Sequence, residues 1–297
     1  MVEWTEQKER SNPFALRLIC SIALHLPRCV TRLFLWPITF YYYLLSPKIR
    51  FSSRQYLRRL PNKQGSIWQV IRHIHHFAST ILDRVYFLTD QFQKFDIKIN
   101  NKDCLDSAMA SGKGAILLGS HVGSFEAMRC LAIRHKQLPL KILMYRDHNA
   151  MSTKVLDELN PDVANSVINL ADDSALLKMK EALDQGCLIG MLGDRVLEGE
   201  KKVVCNLLGE EVLLPAGPFS LALMLGVPVV GFFGIYEGGN RYQVQHSLLY
   251  SGEKIARAER DSQVSILTQQ YVDSIEKVLK DFSYNWFNFY DYWRDTK

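Results

Sequence analysis

Short apolar runs alternate with amphipathic stretches through the second half of the chain. Apolar runs that end at a glycine or a polar residue are typical of buried strands. Five strands are predicted, over Ala115 to Gly119, Lys141 to Met144, Val167 to Leu170, Leu188 to Leu192 and Val229 to Phe233. The stretches around them predict helices near Asn101 to Ser111, Ser124 to His135, Asn149 to Leu159, Asp172 to Gln185 and Gly217 to Leu225. This alternation predicts an α/β fold with a mostly parallel central sheet flanked by helices.

Four further segments complete the predicted elements. Lys202 to Leu214 predicts two short strands, and Tyr242 to Leu248 predicts an antiparallel strand at the edge of the sheet. A helix is predicted over Ser66 to Gln91. The last helix, near Gln263 to Phe282, is amphipathic and is expected to pack on the core.

A polar stretch near Lys94 to Asn101 interrupts the helical pattern. We interpret it as the boundary between an N-terminal membrane-associated helical region, residues 1–95, and an α/β domain, residues 96–297. An element junction within one compact unit is the alternative. With 297 residues, 47% of them hydrophobic, the chain is long enough to bury a sizeable core.

The N-terminal region is basic and aromatic. From Arg10 to Leu82 there are eleven Lys or Arg residues and no Asp or Glu, in a chain whose formal net charge is only +5. Its longest uncharged run, Leu33 to Pro47, is shorter than the roughly 20 residues that a membrane-spanning helix needs. We therefore expect helices that lie on the anionic cytoplasmic face of a membrane. The residues predicted to bind the membrane are Trp36, Phe40, Tyr41, Arg50, Arg54, Arg58 and Arg59.

The basic residues are also compatible with a single membrane anchor between Arg32 and Lys48, or with a solvated helix packed on the core. Nucleic-acid binding is disfavoured, because no helix-turn-helix, zinc-ligand or RNA-binding signature accompanies these residues. The aromatic residues also cluster with aliphatic residues rather than alternating with Lys and Arg.

The main candidate for chemistry lies where the first predicted strand of the sheet ends. His121 follows at a strand-to-helix turn, and Glu126 lies in the first turn of the next helix, for which Ser124 is a suitable N-cap. Glu126 could accept a hydrogen bond from one imidazole nitrogen and leave the other as a base. Because no side-chain nucleophile accompanies this pair, a hydroxyl or amine of the substrate is expected to fill that role. A histidine that only caps a helix is the alternative.

Arg146 follows the second predicted strand and should emerge at the same edge of the sheet as His121. Its guanidinium could stabilise an oxyanion or hold a phosphate of a substrate. A surface ion pair with Asp147 is the alternative.

One more strand end and one helix start carry candidate residues. Asp194 and Arg195 follow the strand Leu188 to Leu192, so both side chains are expected at the rim of the cleft. Gly217 and Pro218 begin a helix whose positive end suits an anionic head group, with a plain turn as the alternative.

The remaining patterns narrow the class of protein. The six cysteines are scattered without a Cys-x2-Cys pair, which favours reduced thiols, and no metal site is predicted. His73, His75 and His76 have no matching carboxylate or thiolate set and are expected at the surface or the membrane interface. Walker, dinucleotide and Gly-x-Ser-x-Gly motifs are missing, and no organic cofactor is expected.

Together these motifs resemble the lysophospholipid acyltransferase superfamily, and within it the branch of lipid A biosynthesis acyltransferases. The matching blocks, in the order of the family, are His121-x4-Glu126, Met144 to Asn149, Gly193 to Arg195, Leu208-Gly209 with Leu214 to Pro218, and the aromatic tail Trp286 to Trp293. The tail departs from the usual segment of lipid A enzymes. It looks more like that of the related acyltransferases found with polyketide-like or aryl polyene lipid pathways.

The resemblance implies an O-acyltransferase that moves a fatty acyl chain from acyl carrier protein, or from acyl-coenzyme A, to a hydroxyl of a membrane glycolipid. It implies that His121 is the general base, that Glu126 orients it, and that Arg146 and Asp194 assist. The expected substrate-binding residues are Ser124, Tyr145, Asn149, Arg195 and Gly217. Arg195 stands where many relatives carry glutamine. The alternatives are transfer to another membrane lipid, such as an aryl polyene, an aminolipid or a lysophospholipid, and a catalytically inactive membrane scaffold.

Overall fold

The computed structural model of the protein describes residues 13–110, 112–127, 139–145 and 158–293. Within these ranges, the strands of the central sheet are β1 (Asp96–Asn100), β2 (Ala115–Gly119), β3 (Leu140–Met144), β4 (Val167–Asn169), β5 (Leu188–Leu192), β8 (Val229–Gly238) and β9 (Arg241–Tyr250). A separate antiparallel hairpin consists of β6 (Lys202–Leu207) and β7 (Glu210–Pro215). The helices are α1 (Pro13–His25), α2 (Arg28–Leu33), α3 (Leu35–Leu45), α4 (Pro47–Arg59), α5 (Ile67–Leu88), α6 (Lys102–Met109), α7 (Pro161–Asn165), α8 (Ala175–Asp184), α9 (Gly217–Leu225) and α10 (Arg260–Asp281).

The order of strands across the sheet is β1-β9-β8-β2-β5-β3-β4. Pairing is parallel except between β8 and β9, which run antiparallel. All five predicted sheet strands and the predicted hairpin are present, and the predicted α/β fold with a mostly parallel sheet is confirmed. The helices predicted over residues 124–135 and 149–159 lie largely outside the described residues.

The prediction that Tyr242 to Leu248 forms the edge of the sheet is wrong. The strand is β9, and β1 pairs with its outer side in parallel register, Ile97 opposite Tyr242. β1 occupies the polar stretch that was interpreted as a boundary. Its alternation of Ile97 and Ile99 with polar residues is the pattern of an exposed edge strand, and most of its residues are exposed.

The core has two layers, one on each face of the sheet. On β2 all five residues are buried, and their side chains alternate between the two faces. Ala115 and Leu117 belong to a cluster with Leu105 of α6. Ile116 and Leu118 belong to a second, larger cluster that includes residues of α8, α9 and α10. Burial of each such side chain is worth about 1.5 to 3 kcal/mol, so the strand that precedes His121 is firmly held.

The N-terminal helices pack against the same core as the sheet. Tyr56 and Leu57 of α4 and Val70 of α5 lie in the cluster that contains Ile116. Pro27 separates α1 from α2, and Pro37 lies in the first turn of α3, where a proline is tolerated. Among the described helices, none combines the length and the apolar composition needed to cross a membrane.

His73 is fully buried, which corrects the prediction of a surface or interfacial histidine. Its Nε2 donates to the backbone carbonyl of Trp286, so Nδ1 is left to accept from the Ser53 hydroxyl at 2.8 Å. Burial lowers the pKa of His73 to about 4, and the ring is therefore neutral at physiological pH. The hydrogen bond from His73 to the Trp286 carbonyl joins α5 to the C-terminal tail, residues 285–293.

Candidate active site

The ends of β2 and β5 bring two polar side chains together. These strands are parallel neighbours, with Gly119 opposite Leu192. His121 and Asp194 each follow two residues later, so the pairing register places them side by side at the carboxyl edge of the sheet, where ligands of open α/β sheets bind.

The carboxylate of Asp194 is completely buried and bonds to His121 through both oxygens. Oδ1 lies 2.8 Å from Nδ1 of His121, and Oδ2 accepts from the backbone N–H of His121 at 2.9 Å. The carboxylate therefore fixes the position of the residue as well as the orientation of its ring.

These contacts assign the protons of the site. An ionised carboxylate can only accept hydrogen bonds, so Nδ1 of His121 donates and the neutral ring has an unprotonated Nε2. Among the described residues, Nε2 has no hydrogen-bond partner, and the side chain is 26% exposed. Nε2 is thus available as a proton acceptor.

The electrostatics favour a charged aspartate beside a neutral histidine. Burial raises the pKa of Asp194, but His121, Arg195 and Asn288 lower it more strongly, to about 2. Burial and the positive charge of Arg195 lower the pKa of His121 below its usual value, while Asp194 and Glu126 oppose that change. At neutral pH the histidine is therefore a free base that is ready to accept a proton.

The loop that carries His121 is held against β8 by a close backbone approach. Gly123 has a φ of +70°, and a Cβ there would collide with the carbonyl oxygen of Gly234. A Cβ at Gly234 would in turn collide with the carbonyl oxygen of Ser124. The N–H of Ser124 donates to that same Gly234 carbonyl at 2.7 Å. Glycine is required at both positions because the backbones of the two segments are in direct contact and leave no room for a Cβ atom.

The C-terminal tail supplies a residue that the sequence analysis missed, Asn288. Its Nδ2 donates to Oδ2 of Asp194 at 2.8 Å, and its Oδ1 accepts from Nε of Arg195 at 2.8 Å. Asn288 is only 2% exposed. The hydroxyl of Tyr292 donates to the backbone carbonyl of Asp194 at 2.7 Å. The tail therefore contributes directly to the burial and hydrogen bonding of Asp194.

The tail also bonds directly to the His121 loop. The N–H of Phe287 donates to the carbonyl of His121, and the N–H of Gly123 donates to the carbonyl of Asn285, both at 2.8 Å. Trp286, which is 1% exposed, pairs with Val122 between these two bonds. Asparagines among aromatic residues near a chain end are the only signal in the sequence for this arrangement, and they do not specify what they bind.

Glu126 is not bonded to the ring of His121 in the structure. Its carboxylate pairs with Arg84 of α5 at 2.9 Å. The hydrogen bond expected from Glu126 is made by Asp194 instead. Asp194 reaches Nδ1 because it follows β5, the strand adjacent to β2. Glu126 remains close enough for its charge to favour protonation of His121.

The other predicted substrate-binding residues have varied surroundings. The buried Ser124 hydroxyl caps the helix by accepting from the N–H of Ala127 at 3.3 Å. Tyr145 is exposed at the end of β3, and Gly217 is the exposed first residue of α9. Arg195 extends over the ring of Tyr290, with its Cζ 5.7 Å from the centroid. Arg146 and Asn149 lie outside the described residues.

The predicted membrane-binding arginines contact the protein itself. Arg50 donates to carbonyls at the end of α3, and Arg54 and Arg58 donate to carbonyls of the turn before α5. Arg59 pairs with Glu210 at 2.7 Å and lies over the ring of Trp293. The aromatic residues predicted beside them, Trp36, Phe40 and Tyr41, are exposed.

The arrangement around His121 can perform general base catalysis on a substrate that brings its own nucleophile. Within the described ranges, no group of three or more His, Cys, Asp or Glu side chains could hold a metal ion.

A family model described as bacterial lipid A biosynthesis acyltransferase matches residues 69–295, which is more than half of the chain. No curated protein matches the chain.

Proposed function

The chain belongs to the family of bacterial lipid A biosynthesis acyltransferases, and from that premise we propose that it transfers a fatty acyl chain from a thioester to a hydroxyl of a membrane glycolipid. The observation that carries the mechanism is the hydrogen bond from Nδ1 of His121 to the buried Asp194, which leaves Nε2 as an exposed base.

In the proposed reaction, Nε2 of His121 takes the proton of the acceptor hydroxyl while the oxygen attacks the thioester carbonyl. A tetrahedral intermediate forms with a negative oxygen. Its collapse breaks the carbon–sulfur bond, and the imidazolium returns the proton to the leaving thiolate. The products are an ester and a thiol, and His121 ends the cycle neutral.

We assign different roles to the two carboxylates near His121. Asp194 holds the ring in the tautomer with a proton on Nδ1 and stabilises the imidazolium by direct contact. Glu126, fixed by Arg84, adds a second negative charge that stabilises the same cation without orienting the ring. This revises the sequence-based hypothesis, in which Glu126 was the orienting residue.

The donor is proposed to be acyl carrier protein, with acyl-coenzyme A as the alternative. Arg146 follows β3, the strand next to β5, and is proposed to stabilise the oxyanion or to hold a phosphate of the donor. Tyr145 and Asn149 are proposed to contact the substrate beside it. Support for these assignments comes from family resemblance and from the position at the carboxyl edge of the sheet.

The protein is further proposed to lie on the cytoplasmic face of the inner membrane through its N-terminal helices. Exposed apolar side chains of α2 to α5 support this, as does the absence of any acidic residue between Arg10 and Leu82. The exposed large apolar residues of this segment of the chain are Leu33, Phe34, Trp36, Phe40, Tyr41, Leu44, Leu45, Phe51, Ile67 and Trp68. Extensive exposed apolar surface is typical of proteins that bind a membrane or another protein.

The decisive experiment is mass spectrometry of total membrane lipids from cells that express the wild type, His121→Ala or the control His25→Ala. His25 is an exposed histidine of α1 whose only described side-chain bond is to the Ser21 carbonyl. We expect one lipid to lose an acyl chain with His121→Ala alone. That lipid identifies the acceptor, whether a glycolipid, an aryl polyene, an aminolipid or a lysophospholipid. Identical lipids in all three strains, with folded protein, would favour an inactive scaffold instead.

A further inference from the structure

A cavity of about 760 Å³ lies between α2, α3 and α5 on one side and the turn between β8 and β9 on the other. Its lining includes Arg28, Arg32, Trp36, His75, Lys94 and Gly239. None of these residues belongs to the hydrogen-bond network of His121, Asp194 and Asn288. The cavity is therefore a candidate for a separate binding event.

The lining carries positive charge that the described part of the protein does not neutralise. Arg28 is paired with the buried Asp83 at 2.7 Å. Arg32 donates to the Gly239 carbonyl at 3.0 Å, and Lys94 lies over the ring of Tyr86, its Nζ 4.7 Å from the centroid. Neither Arg32 nor Lys94 has a carboxylate partner within the described ranges. Within the described ranges, Arg32 and Lys94 thus bring two positive charges to the cavity that no ion pair offsets.

The histidine of the cavity adds no charge. Burial and the charge of Arg32 lower the pKa of His75 to about 4, so its ring is neutral at physiological pH. Thr39 gives its hydroxyl proton to the Leu35 carbonyl at 2.7 Å, and its oxygen therefore accepts from Nδ1 of His75 at 3.2 Å. The ring stacks on Trp36 with centroids 4.3 Å apart, which gives the cavity a rigid wall.

The lining also has apolar residues. Leu33 is 67% exposed and Trp36 is 44% exposed, and both line the cavity. A ligand that matches the charged and the apolar parts of the lining combines an anionic group with a hydrocarbon part. Membrane phospholipids have this chemistry, and guanidinium groups bind phosphate through paired hydrogen bonds.

We propose that this cavity binds the phosphate group of a membrane lipid, with Arg32 and Lys94 on the phosphate and Leu33 and Trp36 against the hydrophobic part. The inference rests on the membrane association proposed above and not on acyl transfer. It assigns a fixed head-group site to the N-terminal region, in addition to general attraction by scattered charges.

The test is co-sedimentation with two kinds of phosphatidylcholine vesicle. One contains phosphatidic acid, and the other contains enough oleate to give the same negative charge. The variants are Arg32→Gln with Lys94→Gln, and a matched control, Lys254→Gln with Arg257→Gln, which removes two exposed charges beyond the opposite end of β9. Each basic residue near an anionic surface contributes enough for a several-fold effect. We expect the cavity variant to bind phosphatidic acid vesicles about 10-fold more weakly and the control to bind them within about 2-fold of the wild type.

Three results would overturn the proposal. One is equal loss of binding in the cavity variant and the control, which would indicate general electrostatics. Another is equal binding of the wild type to phosphatidic acid and oleate vesicles, which would exclude phosphate recognition. The third is binding of inorganic phosphate, measured by calorimetry, without preferential vesicle binding, which would assign the site to soluble phosphates. Lys94→Gln alone serves as a second variant, because Arg32 also bonds to Gly239 and its loss could disturb folding. None of these measurements depends on acyl transfer.

Discussion

Two aspartates of this protein are completely buried beside a basic residue, yet their properties are opposite. Asp194 at the active site has a pKa lowered to about 2, whereas burial raises the pKa of Asp83 under α2 despite its bonds to Arg28 and Tyr242. Asp194 accepts from two donors of His121 and from Asn288. Asp83 accepts two bonds from Arg28 and one from Tyr242 at 2.9 Å.

The basic partner determines whether a buried carboxylate has a structural or a chemical role. Arg28 keeps its charge throughout the physiological range, so its pair with Asp83 is a permanent link between α2 and α5. His121 can gain and lose a proton, so its pair with Asp194 can take part in a reaction. The same burial therefore supports structure at one place and chemistry at the other.

The largest expected effect comes from breaking the active-site pair with Asp194→Asn. An amide at this position can donate to Nδ1, which moves the imidazole proton to Nε2 and removes the base. We expect kcat for acyl transfer to fall about 10² to 10⁴-fold, the usual contribution of a general base. The exposed Asp184→Asn is the control. Wild-type kcat in Asp194→Asn would remove Asp194 from the mechanism, and a comparable loss in Glu126→Gln with an intact Asp194 would restore Glu126 as the orienting residue.

Breaking the structural pair with Arg28→Met should affect stability instead. It leaves the buried Asp83 without its cation, which costs about 3 to 5 kcal/mol in the free energy of unfolding. Arg17→Met is the matched control, because Arg17 pairs with Glu158 at 3.1 Å with both side chains well exposed. Such exposed pairs contribute about 0 to 1 kcal/mol. Chemical denaturation of both variants measures the difference, and equal costs would contradict the comparison.

Asn288→Ala should weaken the active-site pair without removing it. The variant deletes the hydrogen bond to Oδ2 of Asp194, and a bond to a charged group is worth about 1.5 to 3 kcal/mol. We expect kcat to fall roughly 10- to 100-fold with little change in KM, because Asn288 acts through Asp194 and not on the substrate. Asn206→Ala, on the exposed hairpin, is the control. A change confined to KM, or to thermal stability, would show that Asn288 does not position the catalytic pair.

The smallest effect is a shift in pH dependence with Arg195→Gln. The positive charge of Arg195 is one of the causes that lower the pKa of His121, so its removal raises that pKa. Because the reaction needs neutral His121, activity is lost as the pH falls through this pKa. The acid limb of kcat/KM should therefore move to higher pH, but only in part towards that of an exposed histidine, since burial is the larger cause of the lowered pKa. A limb that moves to lower pH would contradict this sign.

Local patterns in the sequence predicted most of the elements of the fold. Buried strands such as Ala115 to Gly119 are recognisable as short apolar runs, because such a run ends where the chain leaves the core and turns at the surface. β1 was missed because an edge strand with two isoleucines resembles a loop. The burial of His73 was missed because its partners, Ser53 and the Trp286 carbonyl, are distant in sequence.

Local sequence patterns were enough to show that His121 and Asp194 each follow a strand and face the same edge of a parallel sheet. Their contact is visible only in the folded protein, because β5 pairs with β2 although β3 and β4 lie between them in the chain. Glu126 is close to His121 in the sequence, and it was therefore the carboxylate that sequence reasoning chose. Hydrogen bonds depend on distance in space, and the carboxylate that bonds to the ring is Asp194. Asn288, ninety-four positions from Asp194, reaches it because the tail folds back over the strand ends.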